Sequence, residues 1–150
     1  MNLGGLLQNH VLITGLTGWF LAQALKIPID VFQSHQWNWA LFFAAGGMPS
    51  SHSALVTSTA AAVGLHYGFD NPLFAVAVAV AMVVVYDATG IRRQAGMQAQ
   101  KINILVEELL QGHPISQEHL REVLGHTPLE ALGGVLLGIS IAVGMWLIWG

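Results

Sequence analysis

The chain has 150 residues, 54% of them hydrophobic and only 9% charged, with a formal net charge of −3 and no cysteine. Soluble domains average about 25% charged residues, so a water-facing globule of this composition would expose large apolar patches, and a single integral-membrane domain over residues 1–150 is expected instead. The small negative charge offers no footprint for nucleic acid, and the missing cysteines exclude disulfides, thiolate catalysis and cysteine metal sites.

Four stretches can cross or enter a bilayer, which takes about 20 apolar residues per helix. The first runs from Leu3 to Ile27 and carries Gln8, Asn9 and His10 near its outer end. No Lys or Arg precedes Lys26, whereas a cleavable leader has a basic region ahead of its apolar core. This segment therefore reads as a retained membrane helix. Trp37 and Trp39 stand where interfacial anchors belong, and the piece from there to Gly47 is too short to span, so it reads as re-entrant or interfacial. The second stretch is Ser50 to Phe69. The third, Asn71 to Gly90, alternates Ala and Val as a strand would, but its length in a membrane favours helix. The fourth is Leu129 to Trp149, closing on a second pair of tryptophans, Trp146 and Trp149.

Ile91 to Thr127 forms the one polar region, a helical insertion holding Arg92, Arg93, Lys101 and Arg121. Ile102, Leu105, Val106, Leu109 and Leu110 follow helical spacing, which predicts an amphipathic helix from Gln94 to Gln111. A Gly-His-Pro triplet ends it, and Ser116 can cap a short helix through Leu124. By the positive-inside rule Lys26 and this region face the cytoplasm and both termini lie outside. Gly134 and Gly138, with Ala75, Ala77, Ala79 and Ala81, suit tight helix packing within one chain or in a homo-oligomer. The expected fold is an all-α, polytopic membrane helical bundle. It has about four membrane-spanning or membrane-inserted helices plus an amphipathic cytoplasmic helix.

Three motifs carry chemistry. In "GGMPSSHSA", Gly46 to Ala54, a Gly-Gly pair breaks the chain and Ser50 or Ser51 caps the next helix. Such a helix start presents open N–H groups and a partial positive charge, which bind anions, and His52 lies within its first turn. A capped membrane helix with an interfacial histidine explains the same residues. In "LGHTPLEALGG", Leu124 to Gly134, Thr127 as N-cap, Pro128 at N1 and Glu130 at N3 make a capping box. His126 is four residues before Glu130, whose carboxylate can also accept one ring N–H and leave the other nitrogen free. In "YDATGIRRQAG", Tyr86 to Gly96, Asp87 lies at the membrane edge, where ionisable residues are functional candidates. Arg92 and Arg93 follow and can bind phosphate bidentately, or simply anchor the chain at the interface. His10, His35, His66, His113 and His119 read as interface or loop residues. No metal-ligand set and no cofactor is expected.

Together the three motifs resemble the divergent branch of the type 2 phosphatidic acid phosphatase superfamily, small membrane proteins of bacteria and plastids, over about Lys26 to Gly138. The parent superfamily, which includes lipid phosphatases and vanadium haloperoxidases, is α-helical. Its Pro-Ser-Gly-His motif is similar to Pro49-Ser50-Ser51-His52, with Ser51 in place of glycine. The resemblance implies that His52 is the general acid, His126 the nucleophile and Glu130 its orienting partner. It implies a phosphate site drawing on Ser50, Ser51, Arg92, Arg93, Lys101 and Arg121, with Lys26 and Asp87 in support. Two departures stand out. Arg121 precedes His126 by five positions where the superfamily's arginine precedes by six, and the Arg-Pro of its first motif is absent. The implied activity is metal-independent hydrolysis of a lipid phosphate monoester in a cell membrane or a plastid membrane, through a phosphohistidine. The alternative is a non-catalytic binder or transporter of anionic lipid headgroups, in which the same helix starts and arginines hold the headgroup without cleaving it.

Overall fold

In the computed structural model, which describes residues 3–43, 46–109 and 125–149, Asn9 divides the first apolar stretch. A four-residue turn of helix, α1 (Leu3–Leu6), precedes it, and the long helix α2 runs His10–Ser34. The expected helix thus starts later and ends later than Leu3 to Ile27. The side chain of Asn9 accepts the Leu12 N–H at 3.0 Å, so the asparagine caps a helix instead of being tolerated inside one. At the far end α2 continues through Pro28 and stops at His35, which takes the left-handed conformation (φ 55°) and donates its N–H to Val31 O at 2.9 Å. A proline removes one intrahelical donor, a loss that apolar helices in lipid accommodate.

Trp39–Phe43 forms a short 3-10 helix, in the segment expected to be interfacial, with Trp37 and Trp39 both exposed. Helix α3 is Ser51–Tyr67, capped by Ser50 and ended by Gly68 at φ 97°, a conformation glycine adopts freely. Helix α4 is Pro72–Thr89, capped by the Asn71 side chain on Leu73 N–H at 2.9 Å. The Ala–Val alternation is therefore helical, as its length indicated. The amphipathic helix α5, Ile91–Leu109, begins directly after Gly90 and not at Gln94. Its expected end at Gln111 and the short helix expected from Ser116 lie outside the described residues. Helix α6 is Pro128–Trp149.

Three of these stretches, residues 10–32, 72–106 and 128–149, are long and apolar enough to cross a membrane. Helix α3, at 17 residues about 25 Å long, is shorter and is inserted among them, packing on α6, α2 and α4. Because it is covered on several sides, it shows no single apolar stripe; its buried residues are mostly small, including Ser51, Ser53, Ala54, Ser58, Ala60 and Ala62. Ser58 and Thr59 return their hydroxyls to Leu55 O at 3.1 and 2.8 Å, which satisfies them without a partner helix. Large apolar side chains point outward instead: Val76 and Val80 of α4 are both exposed, as a lipid solvent permits.

Glycines set the helix directions. A Cβ on Gly134 would meet the Ser50 carbonyl and one on Gly138 the Ala54 carbonyl, so α3 and α6 run parallel. Gly15 lies against Thr59 and Gly18 against Ser58 and Ala54, so α2 runs antiparallel to α3. Helices α3 and α6 therefore begin on the same side of the bundle. Gly134→Val is expected to destabilise the protein by about 1–3 kcal/mol or more, because backbone, not a flexible side chain, opposes the new atoms. Gly144→Val, where nothing lies within 4 Å, should leave the melting temperature in detergent unchanged.

Candidate active site

The parallel pairing of α3 and α6 brings two capped helix starts side by side. At the first, Ser50 Oγ accepts the Ser53 N–H at 3.3 Å and the Ser53 hydroxyl at 3.1 Å. Ser50 and Ser51 are both buried, and the Ser50 hydroxyl serves the cap. His52 is exposed one position further on. The Ser50 N–H donates to Glu130 O at 2.9 Å and so bonds the start of α3 to the first turn of α6.

At the second start the capping box is complete. Glu130 N–H donates to Thr127 Oγ1 at 3.3 Å, and Thr127 N–H donates to Glu130 Oε2 at 2.9 Å. The same Oε2 lies 3.2 Å from His126 Nδ1. Capping and orienting, two separate explanations of Glu130 from sequence, are thus performed by one carboxylate oxygen. His126 N–H donates to Ala88 O at 3.0 Å, which pins this histidine to the last turn of α4, and its side chain is 3% exposed. The His52 and His126 rings stand 5.9 Å apart between centroids, tilted by 60°. A proton on Nδ1 facing Glu130 places the lone pair of His126 on Nε2, an atom that is itself buried.

Lys26 is also drawn in. It is 2% exposed and lines a cavity of about 210 Å³ together with Thr127, Glu130, Asp30 and Gly47. Gly47 holds φ 92° there, with the Lys26 stem packed against it. Asp87 is half-buried in the last turn of α4. Arg93 and Lys101 are exposed on α5, which packs on α4; Arg92 falls in the first turn of α5, and Arg121 lies outside the described residues. Among the described residues, no group of three or more His, Asp or Glu is arranged to hold a metal ion.

One polar residue escaped the sequence reading. Gln23 is 93% buried by its 7% exposure, and its Oε1 has no hydrogen-bond partner among the described residues. It sits three residues before Lys26, a spacing that places both on one face of a helix. A Gln at that distance from a Lys, inside an apolar run, was the available signal.

Comparison with known proteins gives the family of the chain. The family model described as "Divergent PAP2 family" matches residues 7–141. The uncharacterized membrane protein YuiD of Bacillus subtilis (strain 168) is 40% identical over 149 residues, covering 92% of this chain and 94% of that protein. No solved structure matches the chain. With all three motifs inside the matched span and a relative aligned over nearly its whole length, this membrane protein belongs to the divergent PAP2 family.

Proposed function

We propose that the chain is a membrane phosphatase that hydrolyses a lipid phosphate monoester through a phosphohistidine. The observation that carries this reading is the pairing of His126 Nδ1 with Glu130 Oε2, with the His52 ring 5.9 Å from the His126 ring. A phosphate admitted between the two helix starts meets Nε2 of neutral His126, which attacks phosphorus while Glu130 holds the ring and stabilises the positive charge it acquires. The P–O bond to the alcohol breaks, and His52 gives its proton to the departing alkoxide. His52 then takes a proton from water, whose oxygen attacks phosphorus; the P–N bond breaks and inorganic phosphate leaves. First-turn N–H groups, Lys26 and the basic residues of the polar region stabilise the equatorial oxygens. The polar region faces the cytoplasm in this reading, and the substrate lies in the leaflet on that side.

The second reading is a headgroup binder or transporter. It draws on the exposure of Arg93 and Lys101, which suits holding an anionic surface, and on the missing Arg-Pro. The test is release of inorganic phosphate by the purified protein from long-chain phosphate monoesters in mixed micelles, with chelator present. Release by the wild type is expected. No release across the series, with the lipid still retained, would decide for the binder. His52→Gln should lower kcat by about 10²–10⁴ for an alkyl phosphate. For a nitrophenyl phosphate, whose leaving group needs no proton, the first burst of nitrophenol should be almost unchanged in the variant, while steady turnover stays slow because His52 also takes the proton of the attacking water.

A further inference from the structure

A groove of about 940 Å³ lies between α3, α4 and α6. One face of α4 forms a wall through Phe74, Val78, Ala81, Val85 and Thr89, spaced as a single helical stripe. Val135 and Ile139 of α6 form the wall opposite. Among the described residues, none of those lining it is charged.

The two ends of the groove differ. At one end stands Thr89, next to Ala88, whose carbonyl accepts the His126 N–H. This end therefore reaches the turn of α4 to which the proposed nucleophile is bonded. At the other, Phe69 and Phe74 meet edge to face, centroids 5.1 Å apart and planes at 88°. Gly64 makes room for that closure: a Cβ there would strike the Phe69 ring. From Phe74 to Thr89 the groove follows α4 over a rise of about 22 Å at 1.5 Å per residue. A single leaflet of hydrocarbon is about 15 Å deep, half of a 30 Å core.

We propose that this groove is the hydrocarbon site of the substrate. It takes one chain longer than a leaflet is deep, with its phosphate at His126 and its far end stopped by Phe69 and Phe74. The proposal rests on the phosphatase reading for its substrate and on the groove alone for its occupant. Reach to the turn that holds His126 at one end and aromatic closure at the other favour a bound chain over a second copy of the protein, which would have no need of a closed end.

Two measurements test it. The first is photocrosslinking with an alkyl phosphate carrying a diazirine at its chain terminus, which needs no turnover. Labelling concentrated between Leu65 and Val78 on the groove side is expected. Labelling spread over the outward Val76 and Val80, or crosslinks joining two protein chains across the groove, would overturn the proposal. The second is the dependence of KM on alkyl chain length. KM should fall until the chain fills about 22 Å and then level; Phe74→Ala should move that plateau to longer chains. Ala81→Trp, which fills the groove, should raise KM for the longest ester at least about tenfold, whereas Val80→Trp on the outer face should not. Chain-length independence with phosphate still released would overturn the groove while leaving the phosphatase reading intact. Groove labelling without phosphate release would do the reverse.

Discussion

His126→Gln is expected to lower phosphate release by 10⁴-fold or more, on the order seen when a lone nucleophile is removed, while the protein remains folded. The fold survives because the bond that pins this position, His126 N–H to Ala88 O, belongs to the backbone. The capping box is also untouched, since it joins Thr127 and Glu130. A glutamine loses a buried ring and its bond to Glu130, which costs about 1–2 kcal/mol and is visible as a small fall in melting temperature. What glutamine cannot do is attack phosphorus and carry it. A binder has no such requirement, so in that case the variant would hold a long-chain phosphate about as tightly as the wild type, in a protein that never released phosphate. Measuring release and retention on the same preparation separates the two. Trapping acid-labile, alkali-stable phosphate on the wild type, absent from the variant, identifies the intermediate directly.

The helix boundaries show what a single sequence can carry. Caps are local chemistry, and Ser50, Asn71 and Thr127 all sit where their side chains start the expected helices. The first helix departs from expectation at a cap too. Asn9 looks like a polar residue tolerated at the end of an apolar run, and only the geometry of its bond to Leu12 shows the chain restarting there. Apolarity summed along a window does not register such a restart. Nor does Gly90 break the chain before Gln94, because a glycine that keeps a negative φ (−101°) lets the next helix begin at once.

The two histidines were legible as a pair because each lies at a helix start and such starts gather anion-binding groups. Their proximity was not, since it depends on α3 and α6 running parallel, and the cause of that is the contact of Gly134 with Ser50 across two helices far apart in sequence. Lys26 is hidden for the same reason. Its place beside Glu130 follows from α2 packing antiparallel to α3, a tertiary result that no spacing within α2 encodes. The arginines were the reverse case. Arg92 and Arg93 suit either a phosphate or an interfacial anchor, and Arg93 stands exposed on α5, whereas Lys26, a supporting residue in the sequence, is buried beside the same cavity as Glu130.

Glu130→Gln is expected to leave the melting temperature within a few degrees of wild type and to lower kcat by about 10²–10⁴, with KM little changed. An amide oxygen can occupy the place of Oε2, accepting from Thr127 N–H and from His126 Nδ1–H, so both the cap and the ring orientation persist. The lost quantity is the negative charge that opposes the positive charge developing on His126 as it takes phosphorus. In the serine-protease triad the amide replacement costs about 10⁴ because the tautomer is lost as well, so that figure is the upper end of the range here, where the amide oxygen keeps the Nδ1–H bond. Glu130→Ala removes the acceptor altogether and adds about 0.5–2 kcal/mol of destabilisation through the capping box. The two substitutions therefore divide Glu130 into its parts. If the carboxylate only starts the helix, Glu130→Gln keeps full activity and Glu130→Ala loses activity no faster than it loses stability. If it also drives the chemistry, kcat falls in a protein whose unfolding curve has not moved, and that outcome assigns His126, the ring that Glu130 holds, to the reacting phosphorus.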